Sequence, residues 1–124
     1  MGSWQRQVQL AERVLRGVLQ ALPAPVRERA AAIEIVFEKR PSAFLVRSGI
    51  EPDVMGLFEG PSLAEPEGED TLLAPRILLF LDNIMDEAQG DEAAFCDEVR
   101  TTLLHEIGHY LGLDEEGLSA RDLE

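Results

Sequence analysis

Two histidines four residues apart frame a glutamate in His105-Glu106-Ile107-Gly108-His109, an H-E-x-x-H pattern. On a helix, residues four apart lie one above the other on the same face. Two imidazoles at that spacing can hold one metal ion between them. Glu106, one position beyond the first histidine, is placed to reach a water on that ion. The chain has only these 2 histidines, so its whole supply sits where zinc hydrolysis would need it.

Zinc in a hydrolytic site takes three protein ligands and keeps one position for water. His105 and His109 supply two. The candidates for the third, downstream of His109, are Asp114, Glu115, Glu116, Asp122 and Glu124. A chain reversal at Gly112 aims the residue three positions later back at the histidines, which selects Glu115. Asp114 is the close alternative, since a one-residue change in the turn exchanges them. With zinc held there, bound water becomes acidic near neutral pH and a substrate carbonyl is polarised. Glu106 would then act as general base and pass its proton to a leaving amine. The chemistry expected is hydrolysis of a peptide bond. A structural zinc would need a fourth protein ligand, and none is evident.

The elements that must position these groups are legible as patterns of apolar residues. From Glu92 to Leu111 the residues Phe95, Val99, Leu103 and Ile107, with Leu104 and Leu111 beside them, form the buried stripe of a helix that Asp91 can cap. Thr101, His105, Gly108 and Gly112 fall on a neighbouring, less apolar face. Gly108 puts no side chain beside the histidines, and Gly112 stands where a helix end takes a left-handed residue. Tyr110 is expected to pack or to face solvent rather than to stabilise an oxyanion.

Upstream, Trp4, Val8, Ala11, Leu15, Val18 and Leu22 recur at helical spacing, with Ser3 as a cap and Pro23 and Pro25 ending the pattern. Ile33 to Glu38 alternates apolar and charged residues as a strand does. Ser42 to Ser48 reads as a short helical turn. Val54 to Glu59, with Gly56 inside it and Pro52 and Gly60-Pro61 around it, suits an edge strand. Residues 62–71 read as an exposed acidic loop. Arg76 to Leu81 is a continuous apolar run, expected to be a strand buried on both faces. A short helical piece follows from Ile84 to Gln89, broken by Gly90.

The length of 124 residues fits one domain with a modest core. No apolar run approaches the roughly 20 residues of a membrane span, and no secretory leader is visible. Cys96 is the only cysteine, so no internal disulfide forms and a cytoplasmic location is expected. Its setting between Phe95 and Val99 suggests packing rather than catalysis. The net charge is −13 and uneven. Residues 1–50 carry eight Lys/Arg against four Asp/Glu, whereas residues 51–124 carry three against twenty. An anionic half around the histidines argues against nucleic acid as a partner. It suits a metal or a basic peptide, although acidity also serves solubility alone.

The stretch His105-Glu106-Ile107-Gly108-His109-Tyr110-Leu111-Gly112-Leu113-Asp114-Glu115 resembles the metzincin pattern H-E-x-x-H-x-x-G-x-x-(His or Asp). The wider frame is closer still to the minimal zincin-like metallopeptidases, small bacterial proteins. The likeness includes Gly56-Leu57-Phe58-Glu59-Gly60, Pro75-Arg76-Ile77 and Val99-Arg100-Thr101-Thr102-Leu103-Leu104 leading into the motif. It implies an α+β fold of minimal zincin-like type. A small twisted mixed sheet of three to four strands would pack on an N-terminal helix and a zinc-binding helix. It implies zinc held by His105, His109 and Glu115, with Glu106 as base and a peptide or protein as substrate. An edge strand, here Val54 to Glu59, would border the cleft. Three departures stand out. Position 115 is Glu rather than His or Asp. Met1, Met55 and Met85 all precede the motif, so no methionine turn follows it. Only nine residues follow Glu115, too few for a lower subdomain. These departures keep open an alternative, a non-catalytic zinc- or peptide-binding protein on the same scaffold.

Overall fold

The computed structural model describes residues 2–60 and 74–112. The acidic loop expected over 62–71 and every candidate third ligand lie outside the described residues. Eight elements are present in the order α1 (Ser3–Ala21), α2 (Ala24–Ala30), β1 (Glu34–Glu38), α3 (Ala43–Arg47), β2 (Gly56–Glu59), β3 (Arg76–Phe80), α4 (Leu81–Glu87) and α5 (Glu92–Leu111). The architecture is α+β, as expected, with three strands in one mixed sheet.

The strand order is β1-β3-β2. β3 pairs parallel with β1, Val36 standing opposite Leu78, and antiparallel with β2, Leu57 standing opposite Leu78 from the other side. β3 is thus central, which explains its uninterrupted apolar run: Ile77, Leu78, Leu79 and Phe80 are all buried. A strand covered on both faces cannot alternate. β2 is an edge strand, as the short run around Gly56 suggested, with Gly56 its first residue.

α5 contacts α1 on one side and β2 and β3 on the other. Its buried stripe, Phe95, Val99, Leu103 and Ile107, joins Ile77 and Leu79 of β3 and Leu10, Ala11 and Val18 of α1 in one apolar cluster. Burying a side chain of this size stabilises the fold by roughly 1.5–3 kcal/mol, so the stripe fixes α5 against the sheet. Both helix ends are capped as the sequence suggested. The Asp91 carboxylate accepts from Ala94 N–H at 2.8 Å, and Gly112 ends the helix in the left-handed region with φ of 75°. Arg6 of α1 makes a two-pronged ion pair to Glu92 at the start of α5, at 2.8 and 2.9 Å.

Several boundaries differ from the sequence reading: β1 starts at Glu34 rather than Ile33, and β2 at Gly56 rather than Val54. Gly2, not Ser3, precedes the first helical residue, and the Gln5 side chain accepts from its N–H at 3.0 Å. The prolines that close α1 also open a second helix, α2, with Pro25 in its first turn. A missing N–H costs nothing there, because first-turn donors have no helical partner. β3 ends at Phe80, and Leu81 already begins α4, three residues before the expected start. Leu81 and Ile84 are both fully buried, so the apolar run crosses from strand to helix without a break in hydropathy.

Candidate metal centre

Helical geometry divides the second half of α5 into three adjoining stripes. Val99, Leu103 and Ile107 enter the core. Thr101, His105 and His109 lie on the opposite flank, where His105 is half-buried and His109 exposed. Thr102, Glu106 and Tyr110, between them, are all buried. The two histidines therefore share one face, and Glu106 lies between that face and the core.

The imidazole rings of His105 and His109 stand 4.7 Å apart between centroids, edge to face at 81°. One ligand atom from each of His105, Glu106 and His109 can be chosen so that all three lie within 4.8 Å of one another. Two nitrogens bound about 2.0–2.1 Å from one zinc stand roughly 3.4 Å apart at the tetrahedral angle. Two imidazoles are donors suited to zinc, and Glu106 lies beside them rather than among the ligands. The residues present fit the ion.

Burial raises the carboxyl pKa of Glu106 above its ordinary value, while His109, His105 and the backbone N–H of Phe58 pull it back down. Phe80 N–H bonds to Met55 O at 2.9 Å, so in this antiparallel pair Gly56 and Phe58 turn their backbone groups away from β3. The open edge of β2 thus carries the free backbone groups of Gly56 and Phe58. The Phe58 ring meets Tyr110, one helical turn beyond Glu106, with centroids 5.9 Å apart.

The structure brings His105, Glu106 and His109 together, as the motif required. Glu115 and Asp114 are outside the described residues. Gly108, expected to leave space beside the histidines, is itself buried. Tyr110 packs, one of the two outcomes its position allowed. Cys96 is half-buried rather than enclosed, and burial pushes its thiol above the ordinary value. It lines an apolar cavity of about 310 Å³ between α1 and α5, with Val14, Val18, Leu22 and Leu104, apart from the histidines. The sequence reading missed Thr102 as a contact of the edge strand. Its signal was present, since Thr102, Glu106 and Tyr110 repeat every four residues, but that stripe carries no uniform hydropathy.

The family model of zincin-like metallopeptidases matches residues 30–124, from the end of α2 through the histidine motif. The chain belongs to the zincin-like metallopeptidase family. No curated protein matches it. In this zincin-like chain α5 carries the H-E-x-x-H motif and β2 is the edge strand beside it. No helix among the described residues is long and apolar enough to cross a membrane.

Proposed function

We propose that this zincin-like protein is a zinc-dependent metallopeptidase that hydrolyses peptide bonds. The observation that carries the reading is the convergence of His105, Glu106 and His109 on one end of α5, with the carboxylate buried beside the imidazoles. His105 and His109 would hold the ion, with Glu115 as the third ligand and Asp114 as its alternative. When bound, zinc in such a site supplies an acidified water and a Lewis acid for the scissile carbonyl.

Glu106 is the general base in this reading. Its buried setting favours the neutral carboxyl, so a proton gained from water would be held close to the substrate and released readily to a leaving amine. The two histidines next to it favour the ionised form, so the carboxylate needed at the outset is also supported. The substrate is a peptide or protein. The acidic composition of the second half favours basic residues near the cleaved bond and disfavours nucleic acid.

The test is hydrolysis of a fluorescence-quenched peptide mixture by zinc-loaded protein and by Glu106→Gln. The variant should retain its zinc and lose activity by about 10²–10⁴-fold, the usual contribution of a general base. A zinc-loaded wild type that cleaves nothing would favour the binding-protein alternative. Full activity in Glu106→Gln would refute the assigned base.

A further inference from the structure

A cavity of about 310 Å³ runs between α1 and α5, and no residue of the histidine motif lines it. Its walls are apolar, with Val14, Val18 and Leu22 on one side and Leu104 on the other. The volume is at the lower end of the roughly 300–1,000 Å³ of small-molecule sites. It suits an occupant of amino-acid size rather than a large cofactor.

Gly17 keeps this space open. It belongs to α1 and lines the cavity, and a Cβ built on it would meet no atom within 4 Å. Its φ is not positive, so the backbone does not demand glycine. Glycine weakens a helix relative to alanine, and neither packing nor backbone geometry at this position offsets that loss. What the absent side chain leaves is room beside the apolar walls.

Asp97 and Arg100 supply the polar end. They line the same cavity one helical turn apart on α5, and both are exposed. Among the described residues neither takes part in an ion pair. A carboxylate and a guanidinium beside apolar walls complement a ligand with an ammonium, a carboxylate and an apolar tail. An α-amino acid carries all three on one carbon. Net charge favours it over a simple aliphatic acid, since residues 51–124 hold three Lys/Arg against twenty Asp/Glu. Such a field repels an anion but not a zwitterion. We propose that the cavity between α1 and α5 binds an apolar α-amino acid, its side chain against Val18 and Leu104 and its two charges on Asp97 and Arg100. The site is separate from the zinc centre and needs neither zinc nor peptidase activity, although hydrolysis of peptides would release this class of ligand.

The experiment titrates metal-free, isotope-labelled protein with leucine and with two truncated analogues, isocaproate (no ammonium) and isoamylamine (no carboxylate). Leucine should shift the amide resonances of Gly17 and Arg100 saturably. Each analogue should bind about three- to tenfold more weakly, and Arg100→Gln and Asp97→Asn should weaken leucine by a similar factor. Gly17→Leu should abolish binding yet stay folded, because its Cβ enters empty space and leucine favours a helix over glycine. Cys96, the only cysteine, lines the same cavity, so bound leucine should slow its alkylation. No saturable shift with leucine would overturn the proposal, as would unchanged leucine binding in Gly17→Leu. Either analogue binding as tightly as leucine would also overturn it, in favour of a simple aliphatic acid or amine. Alkylation of Cys96 indifferent to saturating leucine would place the ligand elsewhere and overturn it too. Failure of the peptidase reading would not move these measurements, which are made without zinc.

Discussion

The Phe58 ring lies against Tyr110 with centroids 5.9 Å apart and planes inclined at 49°, joining the edge strand to the last turn of the histidine helix. Two helical turns earlier on α5, Thr102 meets Gly56 of the same strand. Glu106 is held between the two. Aromatic pairs in tilted geometry contribute about 0.5–1.5 kcal/mol beyond the area they bury.

A double-mutant cycle of Phe58→Leu and Tyr110→Leu should therefore show a coupling of about 1 kcal/mol in urea unfolding. Additive losses would mean that the rings only fill space independently.

Asn83 fixes the chain that leads into β2. Its side-chain amide donates to Pro52 O and Val54 O, both at 2.8 Å, and its carbonyl accepts from Arg40 at 2.6 Å. The residue is 5% exposed, so these bonds replace water almost completely. Asn83→Ala should lower stability by about 1–3 kcal/mol in denaturant unfolding, the cost of leaving such partners unsatisfied. Asn83→Asp should also destabilise, because a carboxylate has no N–H to offer the two carbonyls. Wild-type stability in either variant would remove Asn83 from this role.

Glu106 should make the metal-free protein less stable as the pH rises. Burial holds its carboxyl above the ordinary value, so the folded state keeps a proton that the unfolded state has released in the window between the two values. Its contribution is greatest below the ordinary carboxyl value and is lost as pH rises through the folded one. Glu106→Gln should flatten the pH dependence of stability in that window and raise metal-free stability at neutral pH. Thermal unfolding against pH checks this, and an unchanged profile would contradict it.

The histidine helix was legible because its local signals agree. Phe95, Val99, Leu103 and Ile107 follow one stripe, Asp91 caps the start and Gly112 closes the end. β2 was recognisable as an edge strand from Gly56 and the flanking prolines. The junction at Phe80 and Leu81 was not legible, because both residues are buried and hydropathy does not distinguish a central strand from the buried helix after it. α2 was hidden because Pro23 and Pro25 read as an ending, although proline also suits a first helical turn. The histidine pair was fully legible, since i, i+4 spacing fixes its geometry locally. The approach of Phe58 and Gly56 to Glu106 was not, because it depends on strand register and on a contact between residues 46 positions apart, Gly56 and Thr102.

The central claim is that His105 and His109 together hold zinc. Metal analysis after zinc loading and exhaustive buffer exchange tests it most directly, on wild type, His105→Ala and His109→Ala. About one zinc per wild-type chain is expected, and loss of tightly held zinc in each variant, since two ligands cannot close a site that needs three. Zinc retained at wild-type stoichiometry in both variants, or absent from the wild type, would contradict it.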